Sequence, residues 1–167
     1  MVLAAPRSAS TWISNWLTTE HSLCLHDPIL EHAPEDLDLI HSDLPLGISC
    51  TGLALLPDWV NRHPARKVIV HRDLSQINRS LRVIGLSPLS CAWDGALEKI
   101  NGLHISYGDL FNPAFAAPIY EHLTHRLFDV PRHALLTKMH IDPHFDQVMI
   151  KPERARQFKE RVQRALA

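Results

Sequence analysis

The sequence is poor in glycine, and it lacks the glycine patterns of the common nucleotide-binding folds. Only 6 of its 167 residues are glycine. An ATP-binding loop of the form G-x-x-x-x-G-K-S/T needs glycines that let the backbone wrap the phosphates and a lysine that binds them. No segment has that form or the G-x-G-x-x-G form of a dinucleotide-binding domain. These absences argue against an ATP-dependent kinase and against a Rossmann dinucleotide site.

The chain also lacks an excess of either charge and any long apolar run. Its net charge is -1 at pH 7, which offers no basic surface for a nucleic acid. The apolar runs are far shorter than the roughly 18 residues that a membrane-spanning helix needs. The first residues do not have the pattern of a signal peptide. We therefore expect a soluble, cytoplasmic protein with neither a nucleic acid nor a membrane as its partner.

Cysteine is scarce, and the histidines form no clear metal site. The sequence has 3 cysteines, which are Cys24, Cys50 and Cys91. Because their number is odd and their spacing is not that of metal ligands, we expect reduced thiols. Among the 12 histidines, His122 and His125 would share a helix face. His140 and His144 have ligand-like spacing, but Pro143 interrupts a regular helix there. Because no cysteine or carboxylate completes either pair, we expect surface or packing histidines and no required metal.

Apolar runs alternate with helical patterns along most of the chain. Short apolar runs predict strands at residues 2–5, 22–26, 46–50, 67–71 and 103–107. Helical periodicity predicts helices at residues 10–19, 53–63, 74–85, 113–126, 131–138 and 152–166. This alternation is typical of βαβ units. We therefore predict one α/β domain over residues 1–167, a three-layer sandwich around a mainly parallel sheet of four or five strands.

Residues 27–45 are the least regular part of the sequence. Their acidic side chains are Glu31, Glu35, Asp36, Asp38 and Asp43. Acidic segments of this kind are often solvated loops. This one also leaves the second predicted strand beside the first polar turn, where a lid over an acceptor would lie. Both interpretations stay open from the sequence.

A polar turn joins the first predicted strand to the first predicted helix. Its residues are Pro6, Arg7, Ser8, Ala9, Ser10, Thr11 and Trp12. A strand, a tight turn and a helix in this order direct the free N–H groups of the helix N-terminus at the turn, which favours an anion there. Arg7 adds a planar cation, and the hydroxyls add donors. The alternative is an ordinary capped helix start.

A second anion-binding pattern follows the strand predicted at 67–71. Arg72 comes directly after this strand, and Ser80 lies eight positions later on a helix that Asp73 or Ser75 would cap. Arg72 and Ser80 are therefore predicted to converge on one phosphate. Open α/β sheets bind ligands at the carboxyl ends of their strands, so the two patterns together predict a two-phosphate clamp.

The two patterns resemble the motifs of the sulfotransferases that use 3′-phosphoadenosine 5′-phosphosulfate (PAPS). Residues 6–12 are similar to the family's 5′-phosphosulfate loop, and Arg72 with Ser80 is similar to its 3′-phosphate motif. Residues 105–110, with the sequence Ile-Ser-Tyr-Gly-Asp-Leu, resemble a later strand end of the family. The three segments occur in family order. The resemblance covers residues 1–130 as a framework and implies a fold of the P-loop nucleotide-binding type.

The resemblance implies transfer of a sulfuryl group from PAPS to a hydroxyl or amine of a small-molecule or biopolymer acceptor, which leaves adenosine 3′,5′-bisphosphate. Arg7 would contact the transferring group and the leaving phosphate. Arg72 and Ser80 would hold the 3′-phosphate, and Trp12 would either stack on the adenine or belong to the core. The 5′-phosphate would be held by the loop amides, that of Ala9 included, and by Ser8, Ser10 and Thr11.

The resemblance also implies a proton acceptor just after the second strand. His26 and Asp27 occupy that place in this chain. A histidine is a ready base near neutral pH, which favours His26 and keeps Asp27 as the alternative. An ordinary turn at these positions is the other interpretation.

The chain departs from the family pattern at two places, and other functions stay open. Ala9 stands where the family usually has glycine, the residue that adopts a positive φ without strain. The family's late glycine-rich cofactor segment has no counterpart, since no glycine follows Gly108. Two interpretations are open for the basic C-terminal residues. They either supply a cation that replaces the missing cofactor segment or form the solvated face of a terminal helix: Lys151, Arg154, Arg156, Lys159, Arg161 and Arg164. A non-catalytic nucleotide-binding or assembly protein is the second candidate function, and a small-molecule kinase is the third.

Overall fold

A single parallel sheet forms the centre of the molecule. The computed structural model describes residues 1–139 and the helical positions 156, 157, 160, 163 and 164. The strands are β1 (Val2–Ala4), β2 (Leu23–His26), β3 (Leu46–Cys50), β4 (Val68–His71) and β5 (Leu103–Ser106). All neighbouring strands are parallel, in the order β2-β3-β1-β4-β5. The predicted α/β class and parallel sheet are confirmed.

Helices cover both faces of this sheet. The α-helices in the described part of the chain are α1 (Ser10–Leu17), α2 (Pro57–Arg62), α3 (Leu74–Val83), α4 (Ala92–Glu98), α5 (Pro113–Thr124) and α6 (Val130–Lys138). Short 3-10 helices lie at Pro28–Leu30, Pro34–Leu39, Gly52–Leu55 and Tyr107–Phe111. The side chain of Asp73, one of the two caps that the sequence left open, caps α3 by accepting the N–H of Gln76 at 3.0 Å. None of the helices described is long and apolar enough to cross a membrane.

The predicted and observed helices differ at two places within the described residues. The helix predicted at 53–63 is divided, because Pro57 disfavours helical backbone at Leu56, where φ is -123° and ψ is 57°. The helix α4 was not predicted, since Gly95 lies at its centre and weakens the helical pattern. The helix predicted at 152–166 lies outside the described residues except for the helical positions named above.

The sheet is apolar on both faces, and each face contacts its own core. Successive side chains of a strand point to opposite faces, so Ile69 enters one core while Val68 and Val70 enter the other. The first core packs under α2, α3 and α4, and the second packs under α1, α5 and α6. The three layers of the predicted sandwich are thus helices, sheet and helices.

The strand order places a ligand crevice beside the central strand β1. The chain leaves β1 through α1 on one face, whereas it leaves β4 through α3 and α4 on the opposite face. Strands β1 and β4 are neighbours in register, with Ala4 opposite Val70. Connections that depart to opposite faces leave a crevice at the carboxyl ends of such strands. The two predicted anion-binding segments therefore begin side by side.

Residues 27–45 are more ordered than a solvated loop. They contain two of the 3-10 helices, and Leu37 is buried in the first core with 3% of its surface exposed. Oδ1 of Asp38 lies 2.8 Å from Nε2 of His63 at the end of α2. Within this segment Asp27 and Leu30 line the cleft described below. The segment is therefore anchored to the body of the domain beside that cleft.

Candidate functional site

A cleft of about 480 Å³ opens at the carboxyl edge of the sheet. Each strand is followed by a residue that lines it: Arg7 after β1, Asp27 after β2, Thr51 after β3, Arg72 after β4 and Tyr107 after β5. Small-molecule sites typically enclose roughly 300–1,000 Å³. The cleft is therefore large enough for a nucleotide, and it lies where the strand order predicts a ligand.

The turn between β1 and α1 has an unusual backbone. Arg7 has a φ of 63°, and Ala9 has a φ of 69° with a ψ of 19°. Left-handed backbone costs a residue with a Cβ atom roughly 1–2 kcal/mol. Together with Asp27, at a φ of 44°, these residues account for three of the four described non-glycine residues with positive φ, and all three line the cleft. Strain of this kind concentrates at functional sites.

Two arginines converge in the cleft without a carboxylate partner. Nε of Arg7 donates to Oγ of Ser80 at 2.8 Å, and Nη1 of Arg72 donates to the carbonyl oxygen of Arg7. The guanidinium carbon of Arg72 lies 4.1 Å above the ring of Tyr107. Arg72 and Ser80 thus meet through Arg7 instead of contacting each other. No ion pair of the described residues involves either arginine, so an anion entering this cleft meets two uncompensated cations.

Several donors near these arginines lack an acceptor. Among the residues described, Nε of Arg72, Nε1 of Trp12 and Oγ of Ser8 are buried without a hydrogen-bond partner. Buried donors normally have partners, so donors without one indicate a place for a ligand atom or a water. The structure does not bring the hydroxyl of Ser8 into the cleft, because Ser8 is 0% exposed and does not line it.

Trp12 belongs mainly to the core. It is 7% exposed, and its ring centroid lies 5.1 Å from those of Trp16 and Phe111. His133 adds an edge contact at 5.6 Å. Part of Trp12 nevertheless lines the cleft. The structure therefore supports its packing role and leaves stacking on a base as a prediction.

The two candidate proton acceptors contact each other and the loop. Nε2 of His26 lies 3.3 Å from Oδ2 of Asp27, 3.1 Å from Oγ of Ser10 and 3.2 Å from Oγ1 of Thr11. The other carboxylate oxygen of Asp27 accepts from the N–H of Thr51 at 2.5 Å and from its hydroxyl at 3.0 Å. Sequence reasoning missed Thr51, although its place directly after β3 was the available signal. His26, Asp27 and Thr51 join the carboxyl ends of β2 and β3 to the start of α1.

Metal ligands and reactive thiols do not contribute to this cleft in the described structure. No group of three or more histidine, cysteine or acidic side chains is placed to hold a metal ion within the residues described. His140 and His144 lie outside those residues. The free thiols of Cys24 and Cys50 are buried, and burial raises the pKa of Cys24 to about 12. Burial and the nearby Asp27 carboxylate also raise the pKa of Cys50.

Comparison with known proteins found no match for this chain. No family model matches it, and neither a curated protein nor a solved structure matches it. The chemistry of the cleft therefore carries the functional argument. That chemistry consists of two cations, a strained loop at a helix N-terminus, and a histidine–aspartate pair.

Proposed function

We propose that this protein transfers a sulfuryl group from PAPS to a hydroxyl or amine acceptor. The observation that carries the proposal is the pairing of Arg7 and Arg72 at neighbouring strand ends, with no described carboxylate beside either. PAPS presents a 3′-phosphate and a 5′-phosphosulfate on the two sides of one ribose. Two fixed guanidinium groups complement two such anions.

The donors that line the cleft, together with Ser80 beside Arg7, fit a 3′,5′-bisphosphorylated nucleotide. Oγ of Ser80 accepts from Arg7 and so keeps its own proton for a phosphate oxygen. Arg72 has a buried Nε that needs an acceptor. We therefore assign the 3′-phosphate to Arg72 and Ser80. We assign the 5′-phosphate to the free N–H groups at the start of α1, with the hydroxyls of Ser10 and Thr11.

The chain's own residues would orient the reactants and stabilise charge. PAPS supplies a sulfuryl group whose sulfur bonds to the acceptor atom as its bond to the bridging oxygen breaks, with that electron pair staying on the 5′-phosphate. Arg7 would stabilise the negative charge that grows on the oxygens around the reacting sulfur. The pair of His26 and Asp27 would take the proton of the acceptor. Positioning of the reactants would contribute the remaining rate acceleration, because hydrogen bonds already hold both arginines in place.

A non-catalytic nucleotide-binding or assembly protein is the second candidate. The separation of the site into two parts favours this candidate. The cations Arg7 and Arg72 lie after β1 and β4, whereas His26 and Asp27 lie at the end of β2. The anion-binding groups therefore do not require the proton-accepting pair. A protein that binds the bisphosphate and fails to transfer a sulfuryl group would have this function.

Calorimetry with adenosine 3′,5′-bisphosphate, compared with ATP and magnesium, tests nucleotide binding. We expect the bisphosphate to bind more tightly than ATP and Arg72→Ala to weaken it by roughly 10- to 100-fold, the value of a charge-assisted hydrogen bond. Arg62→Ala removes an equal charge from the exposed end of α2 and serves as the matched control. Equal affinity in wild type and Arg72→Ala would refute the 3′-phosphate assignment. Binding of neither nucleotide would overturn both candidate functions.

Transfer of radiolabelled sulfate from PAPS to a broad panel of hydroxyl and amine acceptors tests catalysis. We expect Arg7→Ala to abolish transfer, because the charge on the reacting oxygens then loses its fixed cation. Arg62→Ala should retain the wild-type rate. A wild-type protein that binds the bisphosphate and transfers nothing to the panel would favour the non-catalytic candidate.

A further inference from the structure

We infer that Thr51 and Asp27 are positioning residues that fix which ring nitrogen of His26 takes the acceptor's proton, an inference that rests on the proposed sulfuryl transfer. Asp27 is held from several sides. Its N–H donates to the carbonyl oxygen of Ser49 at 2.8 Å. Its Oδ1 accepts both the N–H of Thr51 at 2.5 Å and the hydroxyl of Thr51 at 3.0 Å. These bonds hold a residue whose φ of 44° is costly for a side chain with a Cβ atom.

Fixing Asp27 determines the tautomer of His26. Since Oδ1 is occupied by Thr51, Oδ2 is the oxygen that faces the imidazole, 3.3 Å from Nε2 of His26. This contact is an ion-pair contact and not a hydrogen bond, but a carboxylate attracts a ring N–H and repels a ring lone pair, so we infer that the ring proton is on Nε2. With the proton on Nε2, the hydroxyls of Ser10 and Thr11, at 3.1 and 3.2 Å, accept from this N–H, whereas in the other tautomer they would donate to Nε2. The lone pair is then on Nδ1, which has no hydrogen-bond partner within the residues described.

This arrangement assigns different roles to the two candidates for the proton acceptor. Nδ1 of His26 takes the proton of the acceptor, while the electron pair of the broken O–H or N–H bond remains on the acceptor atom for its new bond to sulfur. The resulting imidazolium keeps its Nε2–H toward Asp27, whose carboxylate stabilises the positive charge. Asp27 is not itself the base, because both of its oxygens are engaged. Thr51 acts through Asp27.

The tautomer can be measured in the resting protein without any substrate. Long-range proton–nitrogen NMR spectra of nitrogen-labelled protein, at a pH where imidazole is neutral, distinguish the two tautomers, and His26→Gln identifies the signals of His26. We expect the Nε2–H tautomer in the wild type and in Thr51→Ser. Thr51→Val keeps the backbone N–H bond to Asp27 and loses the hydroxyl, so we expect a mixture of tautomers.

Asp27→Asn is the second variant, and it keeps a residue type that tolerates left-handed backbone. Its amide oxygen would remain on Thr51 and its NH₂ group would face His26, which reverses the tautomer to Nδ1–H. An Nδ1–H tautomer in the wild type would overturn the inference. So would a tautomer that is unchanged in both Thr51→Val and Asp27→Asn.

Transfer kinetics separate this inference from the proposed function. We expect Thr51→Val to lower kcat about tenfold, part of what a general base contributes, with KM unchanged and with recovery in Thr51→Ser. Thr124→Val removes a threonine hydroxyl at the opposite edge of the sheet and is the matched control. Tautomer shifts in a protein that transfers no sulfuryl group would overturn the proposed function and leave the positioning of His26 intact. Transfer that persists with no tautomer shift in either variant would overturn the inference and leave the function intact.

Discussion

Ala9 has a backbone conformation that glycine would adopt without cost. Its φ is 69°, and its carbonyl oxygen accepts the N–H of Ile13 at 2.8 Å as the first bond of α1. The residue therefore cannot relax without disturbing the start of the helix. The fold thus retains the loop conformation at the expense of some stability.

Replacing Ala9 with glycine should stabilise the protein. Glycine removes the steric cost of the left-handed backbone, and the gain is reduced because glycine adds freedom to the unfolded chain. We expect Ala9→Gly to raise the free energy of unfolding by roughly 0.5–1 kcal/mol in urea denaturation. Ala33→Gly is the matched control, since Ala33 has a φ of -70°, and it should be neutral or destabilising. A loss of stability in Ala9→Gly would contradict the strain assigned to this turn.

The site residues that the sequence predicted are those whose chemistry is unusual at a strand end. Arg72 directly follows β4, Arg7 lies three residues after the end of β1, and His26 is the last residue of β2; all three line one cleft. Thr51 and Tyr107 also follow strands, but threonine and tyrosine are common there, and their use depends on contacts across the cleft. The sequence likewise paired Ser80 with a phosphate, whereas its contact with Arg7 requires knowledge of how α3 packs.

At the scale of elements, two glycines near one another in sequence have opposite roles. Gly95 lies in the middle of α4, and a Cβ atom added there meets no atom within 4 Å. Gly102 lies just before β5, where an added Cβ atom would lie 2.8 Å from the carbonyl oxygen of Lys67 and 2.5 Å from Cδ1 of Ile69. The first glycine weakens a helix, while the second lets a strand approach its neighbour.

The two alanine substitutions should therefore change stability in opposite directions. Gly95→Ala should raise the free energy of unfolding by up to about 1 kcal/mol, because alanine favours the helix. Gly102→Ala should lower it by roughly 1–3 kcal/mol, since backbone must move to admit the methyl group. Thermal and urea denaturation measure both, and each variant is the control for the other. A destabilising Gly95→Ala together with a neutral Gly102→Ala would contradict this packing.

The strands were predictable because they are short apolar runs, and the central strands β1 and β4 are buried on both faces, which is typical of a parallel sheet under two layers of helices. Their predicted bounds agree with the observed ones to within a residue at each end. Helix α4 was not predicted, because Gly95 lowers the intrinsic helix propensity of its seven residues. The helix is instead stabilised by the tertiary packing of Ala96 and Leu97, which are buried.

At the scale of the whole molecule, the paired histidines of β4 and β5 connect stability to pH. Nε2 of His71 lies 2.8 Å from Nδ1 of His104, and their rings stack at 5.1 Å. Burial, followed by the proximity of His104, lowers the pKa of His71, while the carboxylates of Asp94 and Glu98 oppose this shift. The folded protein therefore binds a proton at His71 less readily than the unfolded chain does.

Acidification should accordingly destabilise the fold. Because the pKa of His71 is lowered in the folded state, its contribution to stability is present above the usual histidine pKa of about 6.5 and is lost as pH falls through the lower folded value. Burial and Arg66 lower the pKa of His122 in the same direction. We expect the urea midpoint to decrease from about pH 7 to about pH 5, and to decrease less in His71→Gln. An identical pH slope in wild type and His71→Gln would contradict this role.

The burial of β4 on both faces also affects how its alignment is encoded. Val68, Ile69 and Val70 are each 0% exposed, so a shift of β4 by one residue would exchange one apolar side chain for another. A sequence-specific constraint on alignment lies instead at the opposite edge, where Gly102 leaves no room for a Cβ atom beside the carbonyl oxygen of Lys67. A chain misaligned there would still bury its cores while Arg72 missed the cleft. Ligand titration, more than a melting curve, would distinguish such a misfolded species from the native protein.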